Sequence, residues 1–302
     1  MQEEKIMKKL IALIAAILTV PGCKGNIDNT PVVFVSILPQ KYFVEKIAGD
    51  IANIEVMVRP GFNPVSYKPA PKQFSLLEKS DLFFTTGVPF EKSWIPKIKS
   101  NYPNLNICPV QKGIKLRVMK ENHHHEEHEN ELVHNHEDKV LDPHIWLDPV
   151  LVKKQAENIK NGLVSQYPDK KEIFEENYLK FIAELTELNS DLQEKFKPFA
   201  GKKFMVFHPT WGYFADRFNI EQVPIETGGK EPTSAQLLEI LSLAKKENIR
   251  VIFIQKQFSI HIAESIAEEI KGEIISLDPL AYDYIMNLRK IATEMTEAFK
   301  RN

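Results

Sequence analysis

The residues best suited to chemistry are histidines placed between prolines. His144 lies within Asp142-Pro143-His144-Ile145-Trp146-Leu147-Asp148-Pro149. Proline fixes φ, lacks an N–H and pushes the preceding residue out of the helical region. The octapeptide should therefore hold His144 on a short, stiff, extended piece between turns, with Pro149 opening the next helix. A stiff backbone around one imidazole is what a metal ligand needs. A histidine packed beneath two turns is the plainer alternative.

A second stretch favours the metal. Phe204-Met205-Val206-Phe207 is a short apolar run of the kind that forms a buried parallel strand, and it leads directly into His208-Pro209-Thr210-Trp211-Gly212-Tyr213-Phe214. Open α/β sheets bind ligands at the carboxyl ends of their strands. By the same logic, the strand-like run 273–277 delivers Asp278-Pro279-Leu280. Three candidate ligands thus stand on strand-end turns, each followed by proline or close to one. Two imidazoles and a carboxylate suit Zn²⁺ and, less selectively, Mn²⁺ or Fe²⁺. Glu226 and Glu231 are set aside as ligands, because N-terminal helix capping around Pro232-Thr233-Ser234 accounts for Glu231.

The motifs DPHIWLDP, FHPTWGYFA, GKEPTSAQL and SLDPL, in this order and spacing, resemble the metal-binding lipoproteins of zinc and manganese ABC importers. These form the cluster A-I or zinc-uptake type of substrate-binding protein, and the resemblance covers essentially the whole mature chain. It implies two α/β lobes joined by one long rigid helix, with His144 from the first lobe meeting His208 and Asp278 from the second in the cleft. It also exposes a departure. The family's first metal-binding loop typically reads Pro-His-x-Tyr-x-Pro, whereas this chain has Val65 at the histidine position, in Pro64-Val65-Ser66-Tyr67-Lys68-Pro69. The fourth ligand is then missing or supplied from elsewhere.

The tract 122–139 carries six of the nine histidines, His123, His124, His125, His128, His134 and His136, interleaved with acids. Such a composition builds no core and reads as a solvated loop. Its functional reading is low-affinity capture of divalent metal, against an acidic linker whose histidines are incidental. Resembling zinc importers often carry such a loop, and manganese members usually lack one.

The totals narrow the class further. Lys plus Arg number 39 against 41 Asp plus Glu, so charge points to neither nucleic acid nor an anionic membrane surface. Only two cysteines occur, which implies no disulfide framework. Cys108 reads as a small buried hydrophobe in a strand. Cys23 follows Lys8-Lys9, an apolar run over 10–20 and Pro21-Gly22, the layout of a secretory signal. It resembles the lipidated residue of bacterial lipoproteins, although Pro21 is unusual there and leaves plain secretion open. Met7 as the start would give a cleaner signal. A lipid anchor would place the protein in the periplasm or on the cell surface.

From 31 onward, strand-like and helix-like segments alternate, which predicts parallel sheets covered by helices. The expected division is a signal over 1–23, a first lobe over 31–166, a linking helix over 169–197 and a second lobe over 201–302. No residue-level repeat is obvious, although the lobes share their element order. The linking helix carries an amphipathic stripe from Phe174 to Phe196, with Asp169 and Glu172 as a capping pair. The expected partners are a divalent metal, an ABC permease and its ATPase. Membrane contact should be through the anchor only, with no nucleic acid and a monomeric chain. Two other readings stand beside the receptor. One is a divergent receptor for manganese, a metal complex or another solute. The other is a zinc hydrolase, which would need a general base such as the glutamate of a His-Glu-x-x-His helix, and that motif is absent from the sequence.

Overall fold

Short β-branched and aromatic runs make the strands. In the first lobe they are β1 (Val32–Val35), β2 (Asn53–Val56), β3 (Leu82–Thr85) and β4 (Asn106–Pro109). Helices α1 (Leu38–Ala48), α2 (Pro71–Leu77) and α3 (Pro89–Asn101) alternate with them. Helices α4 (Pro149–Gln166) and α5 (Lys171–Phe196) then lead to the second lobe. There β5 (Lys203–Val206), α6 (Gly212–Arg217), β6 (Glu221–Pro224), α7 (Ser234–Lys246), β7 (Val251–Gln255), α8 (His261–Glu269), β8 (Glu273–Leu277) and α9 (Tyr284–Arg301) follow. The computed structural model describes residues 30–119, 140–226, 229–258 and 260–301. The expectations for the signal, for Cys23 and for the histidines of 122–139 lie outside the described residues. Among the described residues, no helix is long and apolar enough to cross a membrane.

Both sheets are wholly parallel, ordered β2-β1-β3-β4 and β6-β5-β7-β8. Each therefore reverses strand order beside its first strand, β1 or β5, and that switch point is where open α/β sheets form their ligand crevice. The crossover turns at this edge share a device. A side chain at the third helical position reaches back to cover amides ahead of the helix. Gln40 accepts from the Ser36 and Ile37 N–H groups at 2.9 and 3.2 Å. Gln73 accepts from Ala70 N–H at 2.9 Å. Glu91 accepts from Thr86 and Gly87 N–H at 2.9 and 2.8 Å. Burial pushes the Glu91 carboxyl up, while those amides pull it down.

Helix α5, 26 residues long and about 39 Å at 1.5 Å per residue, ties the lobes together. Its buried stripe runs Phe174, Phe181, Leu185, Leu188, Leu192 and Phe196. Phe181 packs on Phe43 of α1 at 5.8 Å between ring centroids, and Phe196 stacks on Phe218 of the second lobe at 5.4 Å. One hydrophobic core accordingly runs from the first sheet through α4 and α5 into the second lobe, and a smaller one covers the far face of the second sheet.

Three expectations need correction. Asp169 and Glu172 form no capping pair, because the chain enters α5 through a 3₁₀ turn, Pro168–Lys170, and Asp169 pairs with Lys170 instead. Helix α3 was not foreseen, since it contains Pro96 in its interior, where proline removes a hydrogen bond. Cys108 is half-buried rather than buried.

The fit of α4 on the first sheet yields a test. A Cβ on Gly162 would lie 2.7 Å from the Phe84 ring. Gly162→Val should therefore overpack this contact and cost about 2–3 kcal/mol, measured as a lower urea midpoint with an unchanged slope.

Candidate metal centre

The octapeptide does not run extended at His144. The Asp142 carboxylate takes the His144 backbone N–H at 3.0 Å. Ile145 N–H then donates to the Pro143 carbonyl at 2.8 Å. His144 has φ −77° and ψ 37° and leads into a 3₁₀ turn, Ile145–Leu147. The aspartate side chain thus competes successfully with an extended path. Nor does His144 end a strand, as the sequence suggested; it approaches α4 from an isolated bridge between Val118 and Leu141. Pro149 does open the helix, with Asp148 as its cap accepting from Val150 N–H at 2.8 Å.

The second lobe grips this segment at three points. Arg217 forks onto Asp148, with contacts of 3.0, 3.0 and 2.8 Å. Trp146 Nε1–H donates to the Pro279 carbonyl at 2.9 Å. Tyr213 donates its hydroxyl to the Asp142 carbonyl at 2.9 Å. Burial pushes that hydroxyl up to about 12, so it stays a donor.

His208 sits two residues past β5, as expected from the strand-end argument. Gln255, the last residue of β7, fixes its backbone by donating to the His208 carbonyl at 2.8 Å and to Thr210 Oγ1 at 3.0 Å. The Phe258 ring stacks on the imidazole at 4.8 Å and 20°. Nδ1 of His208 is bonded to Glu226 Oε1, and Nδ1 of His144 to Asp142 Oδ1 at 2.7 Å. Both acids are buried, at 4% and 1% exposure. An ionised carboxylate only accepts, so each ring carries its proton on Nδ1 and keeps the Nε2 lone pair free. This is the arrangement that orients histidines as metal ligands. Burial lowers the His144 pKa, against the pull of Asp142, and so favours the neutral ring that a metal requires.

Sequence reasoning missed both acids. Asp142 was read only as punctuation, although Asp-x-His spacing was the available signal. Glu226 was set aside, because its neighbourhood depends on β6 lying beside β5. Glu231 does not cap α7 either; Thr233 does, paired with Gln236.

The ring centroids of His144 and His208 are 5.5 Å apart, inclined at 75°. Two imidazoles on one tetrahedral zinc, with Zn–N near 2.0–2.1 Å, would place their centroids about 5 Å apart, so the observed spacing fits a shared ion. Both rings line one cavity of about 980 Å³, with Glu226, Phe258 and Val65 also on its wall. The position where the resembling family carries a histidine therefore faces the same space as the two imidazoles. Asp278 is not brought together with them. It lines an adjoining cavity of about 40 Å³ with Arg59, and Gln257 and Leu280 border both spaces. Its Oδ1 is occupied by the Leu280 N–H at 2.9 Å, and Asn287 Nδ2 holds its carbonyl at 2.8 Å. Among the described residues, no three His, Cys, Asp or Glu side chains already stand close enough together to hold an ion.

Two parallel-sheet lobes on a shared helix, with a ligand cavity at the strand ends, define a two-lobed solute-binding protein. Residues 33–298 match the family described as "Zinc-uptake complex component A periplasmic", and the chain belongs to that family. It is 30% identical to the "High-affinity zinc uptake system protein ZnuA" of Bacillus subtilis (strain 168), over 88% of this chain and 87% of the relative. It is 28% identical to the "Zinc-binding lipoprotein AdcA" of Streptococcus pneumoniae (strain ATCC BAA-255 / R6), over 92% of this chain but only 55% of that longer protein. Among solved structures, a crystal structure of ZnuA superimposes with a TM-score of 0.81 at 38% identity, covering 89% of this chain and 99% of its own.

The lowered His144 pKa has a defined effect on stability. A histidine whose folded pKa lies below its unfolded value, about 6.5, makes the unfolded state bind more protons in the window between the two. Stability is then lost as pH falls from about 6.5 toward the folded value. Metal-free protein should show that loss in urea titrations, and His144→Gln should shallow the slope in the same window.

Proposed function

We propose that this protein is the metal-binding receptor of a zinc ABC importer, and that it captures Zn²⁺ between its lobes and passes it to a permease driven by an ATPase. The observation that carries this reading is the pair of imidazoles. They face one cavity from the two sides of the cleft at a spacing suited to one ion, each with Nδ1 committed to a buried carboxylate. His144 and His208 are the first two ligands. Asp278 is the third, reached by releasing its bond from Leu280 N–H. Water fills the position facing Val65, since zinc accepts water readily and valine has no donor. Imidazole donors favour zinc over manganese, with Fe²⁺ as a weaker competitor. Cys23 would carry the lipid anchor of a monomeric protein outside the cytoplasmic membrane, and the histidines of 122–139 would serve as weak capture sites.

A receptor role is favoured over zinc hydrolysis by the acids of the described cavity wall. Glu226 is spent on His208, and Glu91 is buried under the Thr86 and Gly87 amides. Neither carboxylate is free to activate a water as a general base.

Metal stoichiometry by native mass spectrometry should give one tightly held zinc per chain. His144→Ala and His208→Ala should each abolish it, while Asp278→Ala weakens it. A chain in which both histidine variants keep full zinc affinity would sink the reading. Deleting 122–139 should leave the tight site and remove only weaker equivalents in calorimetry. The flanking Met119 N–H already donates to the Val140 carbonyl at 2.9 Å, so a short turn can close the gap.

Val65→His provides a gain-of-function test. Added imidazole should tighten zinc about tenfold or more and raise the zinc-dependent melting temperature in step, because a ligand that binds only the native state stabilises it by mass action. Unchanged affinity and melting temperature would show that position 65 does not reach the ion.

A further inference from the structure

Arg117 has no place in the site as described so far, yet it stands directly behind one of its ligands. Its Nη1 lies 3.9 Å from Asp142 Oδ2. Neither atom has a hydrogen-bond partner among the described residues, and both are buried. The other oxygen, Oδ1, takes both the backbone N–H and Nδ1–H of His144. The Asp142 carboxylate is therefore held between a guanidinium on one side and the imidazole on the other, which sets its rotation about the Cβ–Cγ bond.

The position of Arg117 is itself heavily determined. Its backbone carbonyl accepts from Asp142 N–H at 2.9 Å. Its backbone N–H donates to the Tyr213 hydroxyl at 2.9 Å. Its guanidinium lies 5.7 Å from the centroid of the Tyr213 ring, with Nε 3.4 Å from Asp216 on the same helix. A Cβ at Gly212 would collide with the Arg117 guanidinium. Glycine at the start of α6 is thus what lets this arginine lie between the helix and Asp142. Helix α6 follows His208 by only a few residues, so one set of contacts references both imidazoles to the same element.

We propose that Arg117 is a positioning residue for the metal centre: by fixing the Asp142 carboxylate against α6, it orients the His144 ring and holds its Nε2 toward His208. This inference rests on the zinc reading above for its consequence, although the orientation of His144 can be tested without metal. Loss of such an outer partner typically costs 10–100-fold in metal affinity.

The test uses three variants of the full chain, Arg117→Gln, Arg117→Lys and Gly212→Ala, the last keeping the charge but displacing the guanidinium. Two quantities are read, the zinc Kd by competition with a chelating dye and the imidazole ¹H–¹⁵N spectrum of metal-free protein, which reports the His144 tautomer. The expected result is that Arg117→Gln and Gly212→Ala weaken zinc 10–100-fold and mix the His144 tautomers, leaving those of His208 in place, while Arg117→Lys recovers most of both. A zinc Kd within threefold of wild type together with an unchanged His144 signal, in whichever of Arg117→Gln and Gly212→Ala folds, would overturn the proposal. Failure of the wild-type chain to bind zinc at all would instead overturn the receptor reading, since the tautomer result stands independently of it.

Discussion

The bond made by one nitrogen of a buried imidazole fixes the tautomer and aim of the other, and that commitment organises the site. Asp142 and Glu226 take the Nδ1 protons of His144 and His208. Burying two carboxylates is costly, several kcal/mol each if left unpaired. Charge-assisted hydrogen bonds contribute about 1.5–3 kcal/mol each, and Asp142 accepts two through Oδ1 alone. The desolvation cost is thus offset by the same bonds that orient the rings. Stability and ligand geometry come from one set of contacts.

The scaffold supplies what those contacts need, namely fixed spacing between segments far apart in sequence. Trp146 reaches Pro279, Arg217 forks onto Asp148, and Tyr213 meets Asp142. Each joins the segment before α4 to the second lobe. Helix α5 adds apolar packing at both ends, through Phe181 on Phe43 and Phe196 on Phe218. A fully buried aromatic side chain contributes about 1.5–3 kcal/mol or more. These rings therefore outweigh the exposed ion pairs scattered along α5, such as Lys180 with Glu176, which solvent screens and which contribute little.

The two positions from which the proposed centre would need further donors differ in kind. Val65 is a chemical absence, since the residue faces the cavity with no donor atom to offer. Asp278 is a conformational one, since the donor is present but engaged with the Leu280 amide in its own turn.

Local pattern in the sequence determined a great deal. Alternating apolar runs determined two parallel sheets, because a strand buried on both faces must be apolar throughout. The stripe from Phe174 to Phe196 determined the linking helix, and the proline-flanked histidines marked His144 and His208. Tertiary structure alone decided the rest. Whether Glu226 meets His208 depends on β6 lying beside β5. That Asp278 lines a different cavity from the two histidines is set by where its turn lies, and whether Gly212 matters depends on an arginine from the other lobe lying across it. Periodicity reports which face of an element is buried, but it carries no information about which distant side chain arrives there. The turn-borne histidines were therefore legible, and the buried acids that orient them were not.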